Sequence, residues 1–216
     1  MSREIELKVP LSEALFQKIQ KILTEKNTVP SFQFHSLSHI LKSDEYFSLY
    51  NTHEERIKNK ELKVIRLRTQ TDSPLEPSGI DMYGDDSESK EKAYFCIKHK
   101  TLENGVEFNS EYETFVENPD VLRKFFEATG YIKWFEKKKD ALSVFCTLSD
   151  FTDFEAHLEI EKVNGLPYAE IEYTKENVPP ETVRPRLKEI LRALGIDPKN
   201  RDSRSWAQII TEAKQS

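Results

Sequence analysis

The sequence predicts an α+β fold: a closed antiparallel barrel of eight strands, a tunnel with a charged lumen and helices packed on the outside. Three observations carry this. Charged side chains recur at every second position, sorted by sign: Glu4, Glu6 and Lys8; Arg66 and Arg68; Lys98 and Lys100; Glu111 and Glu113; Lys137 and Lys139; Glu159 and Glu161; Glu170 and Glu172. The alternate positions are largely apolar, among them Ile5, Leu7, Ile65, Leu67, Ile97, Leu158, Ile160 and Ile171, so most of these strands have one charged and one apolar face. Three stretches with apolar residues at helical spacing, within 15–23, 121–126 and 183–194, can cover the apolar faces, which turns the charged faces toward one another.

In chain order, the first strand holds Glu4 to Lys8 and is followed by a helix from Ser12, a suitable N-cap, to about Lys26, with Leu15, Phe16, Ile19, Ile22 and Leu23 along one side. Residues 32–50 read as a long strand that ends at Asp44-Glu45-Tyr46-Phe47, residues 51–61 as a charged connection, and Leu62 to Gln70 as the strand of Arg66 and Arg68. Residues 71–92 gather Asp72, Glu76, Asp81, Asp85, Asp86, Glu88 and Glu91 with few apolar groups, which predicts a flexible acidic insertion; the ordered ligand spacing of a calcium loop is missing. Tyr94–Thr101 and Phe108–Phe115 form a hairpin through Asn104-Gly105. Asn118 and Pro119 open a helix that Gly130 ends. A strand runs from Ile132 to Cys146, another from Phe154 to Val163, and Asn164-Gly165 turns the chain into Tyr168–Tyr173. Helices within 179–213 complete a single domain of residues 1–216.

Composition narrows the function. The net charge of −6 argues against nucleic acid or an anionic membrane as partner. Cys96 and Cys146, both in strand-like runs, suit reduced thiols of a cytoplasmic protein, and neither a signal peptide nor a membrane-spanning apolar run is seen. Charges buried inside a barrel must be paired, hydrated or neutralised by a ligand. The cations Lys8, Arg66, Arg68, Lys98, Lys100, Lys137 and Lys139 suit a polyanion such as a triphosphate. The carboxylates would repel that anion unless hard Mg²⁺ or Mn²⁺ stood between.

Glu4-x-Glu6-x-Lys8, Arg66-x-Arg68, Lys98-x-Lys100, Glu111-x-Glu113, Lys137-x-Lys139, Glu161 with Val163-Asn164-Gly165-Leu166, and Tyr168-Ala169-Glu170-Ile171-Glu172 follow one another in the order of the CYTH superfamily, the triphosphate tunnel metalloenzymes, which the chain resembles over nearly its whole length. Ser205-Trp206 resembles that family's Ser-Tyr helix start. The resemblance implies metal binding by Glu4, Glu6, Glu170 and Glu172 with Glu161 nearby, and phosphate binding by the seven cations. It implies water activation by Lys8 and Tyr46. The implied activity is metal-dependent hydrolysis of inorganic, nucleoside or thiamine triphosphate. Class IV adenylyl cyclase chemistry and a non-catalytic polyphosphate or nucleotide sensor are the alternatives, in a monomer or homodimer. The chain departs from the family at Ser48, near a common Asp; at Lys139, where Arg is common; and at Thr101, where Gly is usual.

The remaining polar residues read as structural. His35, His39 and His53 lack metal-ligand spacing, His99 faces outward, and Trp134 and Trp206 pack. His157 shares the parity of Glu159 and Glu161 and is expected to hydrogen-bond among them. Neither a nucleophile–base constellation nor a glycine-rich phosphate loop is visible.

Overall fold

The computed structural model describes residues 5–25, 29, 32–61, 63–75, 91–103, 106–148, 151–173 and 179–215; the side chains of 53, 99–103, 106–111, 151–153 and 180 lie outside that description. The described residues form eight strands: β1 (Ile5–Pro10), β2 (Phe32–Ser48), β3 (Lys63–Pro74), β4 (Lys92–Glu103), β5 (Val106–Phe115), β6 (Ile132–Leu148), β7 (Phe151–Val163) and β8 (Leu166–Tyr173). They form one sheet in the order β1-β8-β7-β6-β2-β3-β4-β5. Every pairing whose register is described is antiparallel. Among the described residues β1 and β5 end that order, so the expected α+β sheet of eight strands is present without a recorded β1–β5 closure.

Among the described residues five α-helices accompany the strands: α1 (Glu13–Thr24), α2 (His53–Lys58), α3 (Pro119–Ala128), α4 (Pro180–Ala193) and α5 (Trp206–Ala213). Ser12 caps α1 by accepting from the Leu15 N–H, and Asn118 caps α3 by accepting from the Val121 N–H. The sequence reading left α2 as a connection. Its signal is a capping box, in which Thr52 accepts from the Glu55 N–H while the Glu55 carboxylate accepts from the Thr52 N–H. The reading also cut β3 short: residues 71–74 continue the strand and Lys92 opens β4, while residues 76–90 of the expected acidic insertion lie outside the described residues.

The chain divides into two compact units, one holding Lys42–Thr71 and Lys90–Lys138, the other Glu4–Leu41 and Lys139–Ser216. In the second, Leu7 and Val9 of β1, Leu158 and Ile160 of β7 and Ile171 of β8 share a buried cluster with Phe16, Ile19 and Leu23 of α1, Leu187, Ile190 and Leu191 of α4, and Leu194 at its C-cap. At about 1.5–3 kcal/mol for each large side chain removed from water, that cluster dominates the unit's stability. The first unit has its own core, in which Phe47, Leu67 and Phe126 meet Ile65, Phe95, Leu122 and Tyr131. The stripes of α1 and α4 therefore cover strand faces as their spacing predicts, whereas α3 contributes Leu122 and Phe126 and leaves Val121 and Phe125 exposed.

One turn sets the register on which the second unit's charges depend. Asn164 and Gly165 both have positive φ, 48° and 87°, as a two-residue hairpin of the right-handed twist requires. Val163 thereby pairs with Leu166, which places Glu161 opposite Tyr168, Glu159 opposite Glu170 and His157 opposite Glu172. A slip of one residue would swap every charged side chain here for an apolar one.

Candidate active site

The antiparallel registers of the second unit arrange its charges in rows across β1, β8, β7 and β6. One row is Glu6, Glu172, His157 and Phe145; the next is Lys8, Glu170, Glu159 and Ser143; the third carries Tyr168, Glu161 and Ala141. Residues opposite one another in an antiparallel pair share a face, so the rows stack into one polar patch. The patch is not a wetted surface: Glu159, Glu161, Lys139 and Ser143 are all buried.

Lys139 holds the centre. Its Nζ donates to Glu159 Oε2 at 2.7 Å and to Glu170 Oε2 at 2.6 Å, and it contacts the Glu161 carboxylate as an ion pair. Burial alone would lower the Lys139 pKa, but Glu159, Glu161 and Glu170 outweigh it and hold the ammonium well above its ordinary value. Burial pushes Glu161 up to about 8, with Lys139 opposing and Glu170 and Glu159 adding to the rise. Three carboxylates and one ammonium would carry a net charge of −2 (−3 + 1) if all were ionised, and the raised Glu161 shows where a proton relieves it. Neither Glu161 oxygen has an aligned hydrogen bond despite the contact with Lys139. One oxygen each from Glu159, Glu161 and Glu170 lie within 4.8 Å of one another. Hard oxygen donors at this spacing, one of them lacking a hydrogen-bond donor, fit a divalent cation of the Mg²⁺ or Mn²⁺ type.

His157 steadies a neighbouring carboxylate. Its Nδ1 lies 2.9 Å from Glu172 Oε1 and its Nε2 lies 2.7 Å from Ser143 Oγ, with the ring stacked on Phe145. An ionised carboxylate only accepts, so Nδ1 carries the hydrogen, and in the neutral ring the Ser143 hydroxyl donates to Nε2. The chain Ser143–His157–Glu172 has the connectivity of an acyl-transfer triad, which the sequence reading did not find. Ser143 is nevertheless buried in mid-strand, where backbone N–H groups belong to the sheet ladder and make no oxyanion hole, so the chain orients Glu172 instead.

The segment before α5 fastens onto the same patch. Lys8 Nζ donates to the Arg204 carbonyl at 2.7 Å and sits 4.8 Å from the centre of the Trp206 ring, whose Nε1 donates to Glu170 Oε1 at 3.4 Å. The Asp202 N–H donates to the Lys8 carbonyl, and the Tyr168 hydroxyl donates to Asp202 Oδ2 at 3.1 Å. The Arg204 guanidinium holds the Asp202 carboxyl down at about 2, and burial followed by Asp202 lifts the Tyr168 phenol to about 12. Trp206, expected only to pack, therefore touches two of the predicted site residues.

The first unit gathers cations around one acid. Asp44 is fully buried; its Oδ1 accepts from Arg68 Nε at 2.6 Å and its Oδ2 from Arg68 NH2 at 3.0 Å, with Lys137 Nζ at 3.1 Å from Oδ2. The Tyr46 hydroxyl donates to the same Oδ2 at 3.3 Å. Burial would raise the Asp44 pKa, but Lys137 and Arg68 outweigh it and hold the carboxyl well below its ordinary range. Arg66 reaches Glu113 at 3.0 Å, across the row Arg66, Cys96, Glu113.

No family model and no curated protein sequence matches the chain. Solved structures do. PH1819 of Pyrococcus horikoshii OT3 matches with a TM-score of 0.65 at 17% identity, over 97% of this chain and 99% of its own. HpAC1 of Hippeastrum, an adenylyl cyclase candidate described as having a dominant triphosphatase activity, matches with a TM-score of 0.57 at 16% identity, over 99% and 96%. An adenylate cyclase candidate of Vibrio parahaemolyticus matches with a TM-score of 0.56 at 15% identity, over 97% and 98%. The chain shares the fold of these structures. At these identities the likeness is one of fold, and it agrees with the resemblance read from the motifs.

Within this fold the sequence-derived residues separate by unit. Lys8, Lys139, Glu161 and Glu170 come together in the second, with Glu6 and Glu172 in the adjoining row. Arg66, Arg68, Lys137 and Tyr46 come together in the first, where Lys98 stands on β4 opposite Val64 and Glu111. Glu4 and the side chain of Lys100 lie outside the described residues. Asp44 and Glu159 were not singled out as ligands, although Glu159 shares the parity of Glu161. His35 and His39 pair with Glu155 and Asp140. No helix among the described residues is long and apolar enough to cross a membrane.

Proposed function

We propose that this chain is a CYTH-superfamily enzyme that hydrolyses a triphosphate with the help of a divalent cation. The observation that carries the reading is the set Glu159, Glu161 and Glu170, the first two buried and the third partly so, whose oxygens lie within 4.8 Å of one another. A bound Mg²⁺ or Mn²⁺ would supply charge neutralisation at the phosphate oxygens. The acids would hold it, with Glu172 fixed by His157 and Glu6 beside it in register. Arg68 and Lys137, with Arg66, would grip phosphate oxygens, the arginines as bidentate forks and the lysine as a point charge. Lys8, tied to the Arg204 carbonyl, and Tyr46 are the groups to orient the attacking water. The closed tunnel expected from the sequence is part of this reading.

The described activity of HpAC1 supports hydrolysis over cyclisation. Incubating the protein with inorganic tripolyphosphate, thiamine triphosphate or ATP and Mg²⁺ or Mn²⁺ tests it. Release of orthophosphate, lost in Glu161→Gln, is the expected result. Cyclic AMP with pyrophosphate would make the chain a cyclase, and tight binding without either product a sensor.

A further inference from the structure

Asp44 has no part in the chemistry above, yet it lies fully buried at the meeting point of three residues that do. We propose that Asp44 is the positioning residue of the phosphate clamp: its carboxylate holds the Arg68 guanidinium and the Lys137 ammonium at one fixed spacing, so both meet a phosphate chain already oriented. The proposal rests on the triphosphate reading and names a residue that the motifs did not.

The geometry is that of a template. Two parallel bonds, 2.6 Å to Oδ1 and 3.0 Å to Oδ2, fix the plane of the Arg68 guanidinium as well as its position. Lys137, 3.1 Å from the same Oδ2, is a flexible chain whose end is pinned by that contact. The Tyr46 hydroxyl, donating at 3.3 Å, fixes the carboxylate in turn. Without this anchor two buried cations would repel each other and lose their common orientation, which binding would then have to restore.

Charge alone predicts the opposite sign. If Asp44 merely neutralised its neighbours, removing its charge would strengthen the binding of an anion. The test is calorimetric titration of inorganic tripolyphosphate, without metal and therefore without turnover, at fixed ionic strength. Asp44→Asn should weaken binding roughly tenfold, the scale expected when two side chains must be ordered afresh. Asp44→Glu keeps the charge but shifts the carboxylate by one methylene, and it should weaken binding too, so the test survives if the asparagine variant fails to fold. In an Arg68→Ala background, Asp44→Asn should lose most of its effect, because the effect runs through Arg68. Unchanged or tighter binding in Asp44→Asn or Asp44→Glu, or an undiminished loss in the Arg68→Ala background, overturns the proposal. Failure of the unaltered protein to bind tripolyphosphate both without metal and with Mg²⁺ or Mn²⁺ present would overturn the triphosphate reading, and this role with it.

Discussion

Replacing Lys139 by methionine should make the protein bind Mn²⁺ more tightly, although Lys139 stands in the middle of the carboxylates. Its ammonium donates to Glu159 at 2.7 Å and to Glu170 at 2.6 Å. A divalent ion held by these oxygens has to displace both bonds, each worth about 1.5–3 kcal/mol as a hydrogen bond to a charged group. The displaced ammonium recovers part of that from water, so a net obstacle near the value of one bond remains. At about 1.4 kcal/mol per factor of ten, the variant should bind Mn²⁺ roughly ten- to a hundredfold tighter. Methionine keeps the length and apolar stem of lysine and brings no donor to compete.

A proton works against this gain. Glu161 titrates at about 8 with Lys139 present, and removing the ammonium can only raise it, so at neutral pH the incoming ion must also expel a proton. The comparison therefore belongs at about pH 8.5, where that cost is smaller. Free Mn²⁺ is read by its electron paramagnetic resonance signal, with no phosphate ligand present and with near-ultraviolet circular dichroism confirming the fold. Equal or weaker Mn²⁺ affinity in a folded Lys139→Met variant would refute the reasoning, because Lys139 would then support the ion instead of occupying its place.

Two further outcomes follow from the same cluster. The folded state keeps a proton on Glu161 that the unfolded chain, with an ordinary carboxyl near 4.5, has released, so metal-free stability should decline as pH rises from about 5 to 8. Mn²⁺ affinity should climb over the same range and level off above it; urea melts and Mn²⁺ titrations at several pH values check both, and flat profiles would count against a raised Glu161. Trp206→Leu removes the indole N–H from Glu170 and the ring from Lys8 while keeping an apolar side chain, so Mn²⁺ affinity should fall several-fold with the thermal midpoint moving only a few degrees. An unchanged affinity would return Trp206 to the role of a packing residue.

The period-two sorting of charge was legible because it is a property of single strands, and it placed Glu161, Glu170, Lys139, Arg66 and Arg68 on their faces before any coordinates. Asn164-Gly165 was legible for the same reason: a two-residue turn carries its own chemistry, and it fixed which acids lie opposite which. Asp44 was not, because its partners Arg68 and Lys137 lie 24 and 93 residues away in the chain (68 − 44 and 137 − 44), and nothing within β2 announces them. The Ser143–His157–Glu172 chain escaped likewise, since it exists only across the registers of three strands. Glu159 was placed on the charged face with Glu161, and its parity could also have named it as a ligand. The short helix α2 could also have been found from Thr52-x-x-Glu55, had the charges around it not read as a loop.

Each charged set carries a counter-ion of the opposite sign: Lys139 among the acids, Asp44 among the bases. Physical necessity accounts for this. Buried like charges without a partner cost several kcal/mol each, so a protein that receives both a cation and a polyanion, as proposed, must still fold when neither is present. The two counter-ions solve that problem in different ways. Lys139 competes for the oxygens a metal would use and has to give way. Asp44 is wholly buried and holds one edge of the Arg68 fork, so under the proposed reading it stays in place when phosphate binds. Removal of the first should therefore tighten binding of the ion it mimics, and removal of the second should weaken binding of the anion it prepares for.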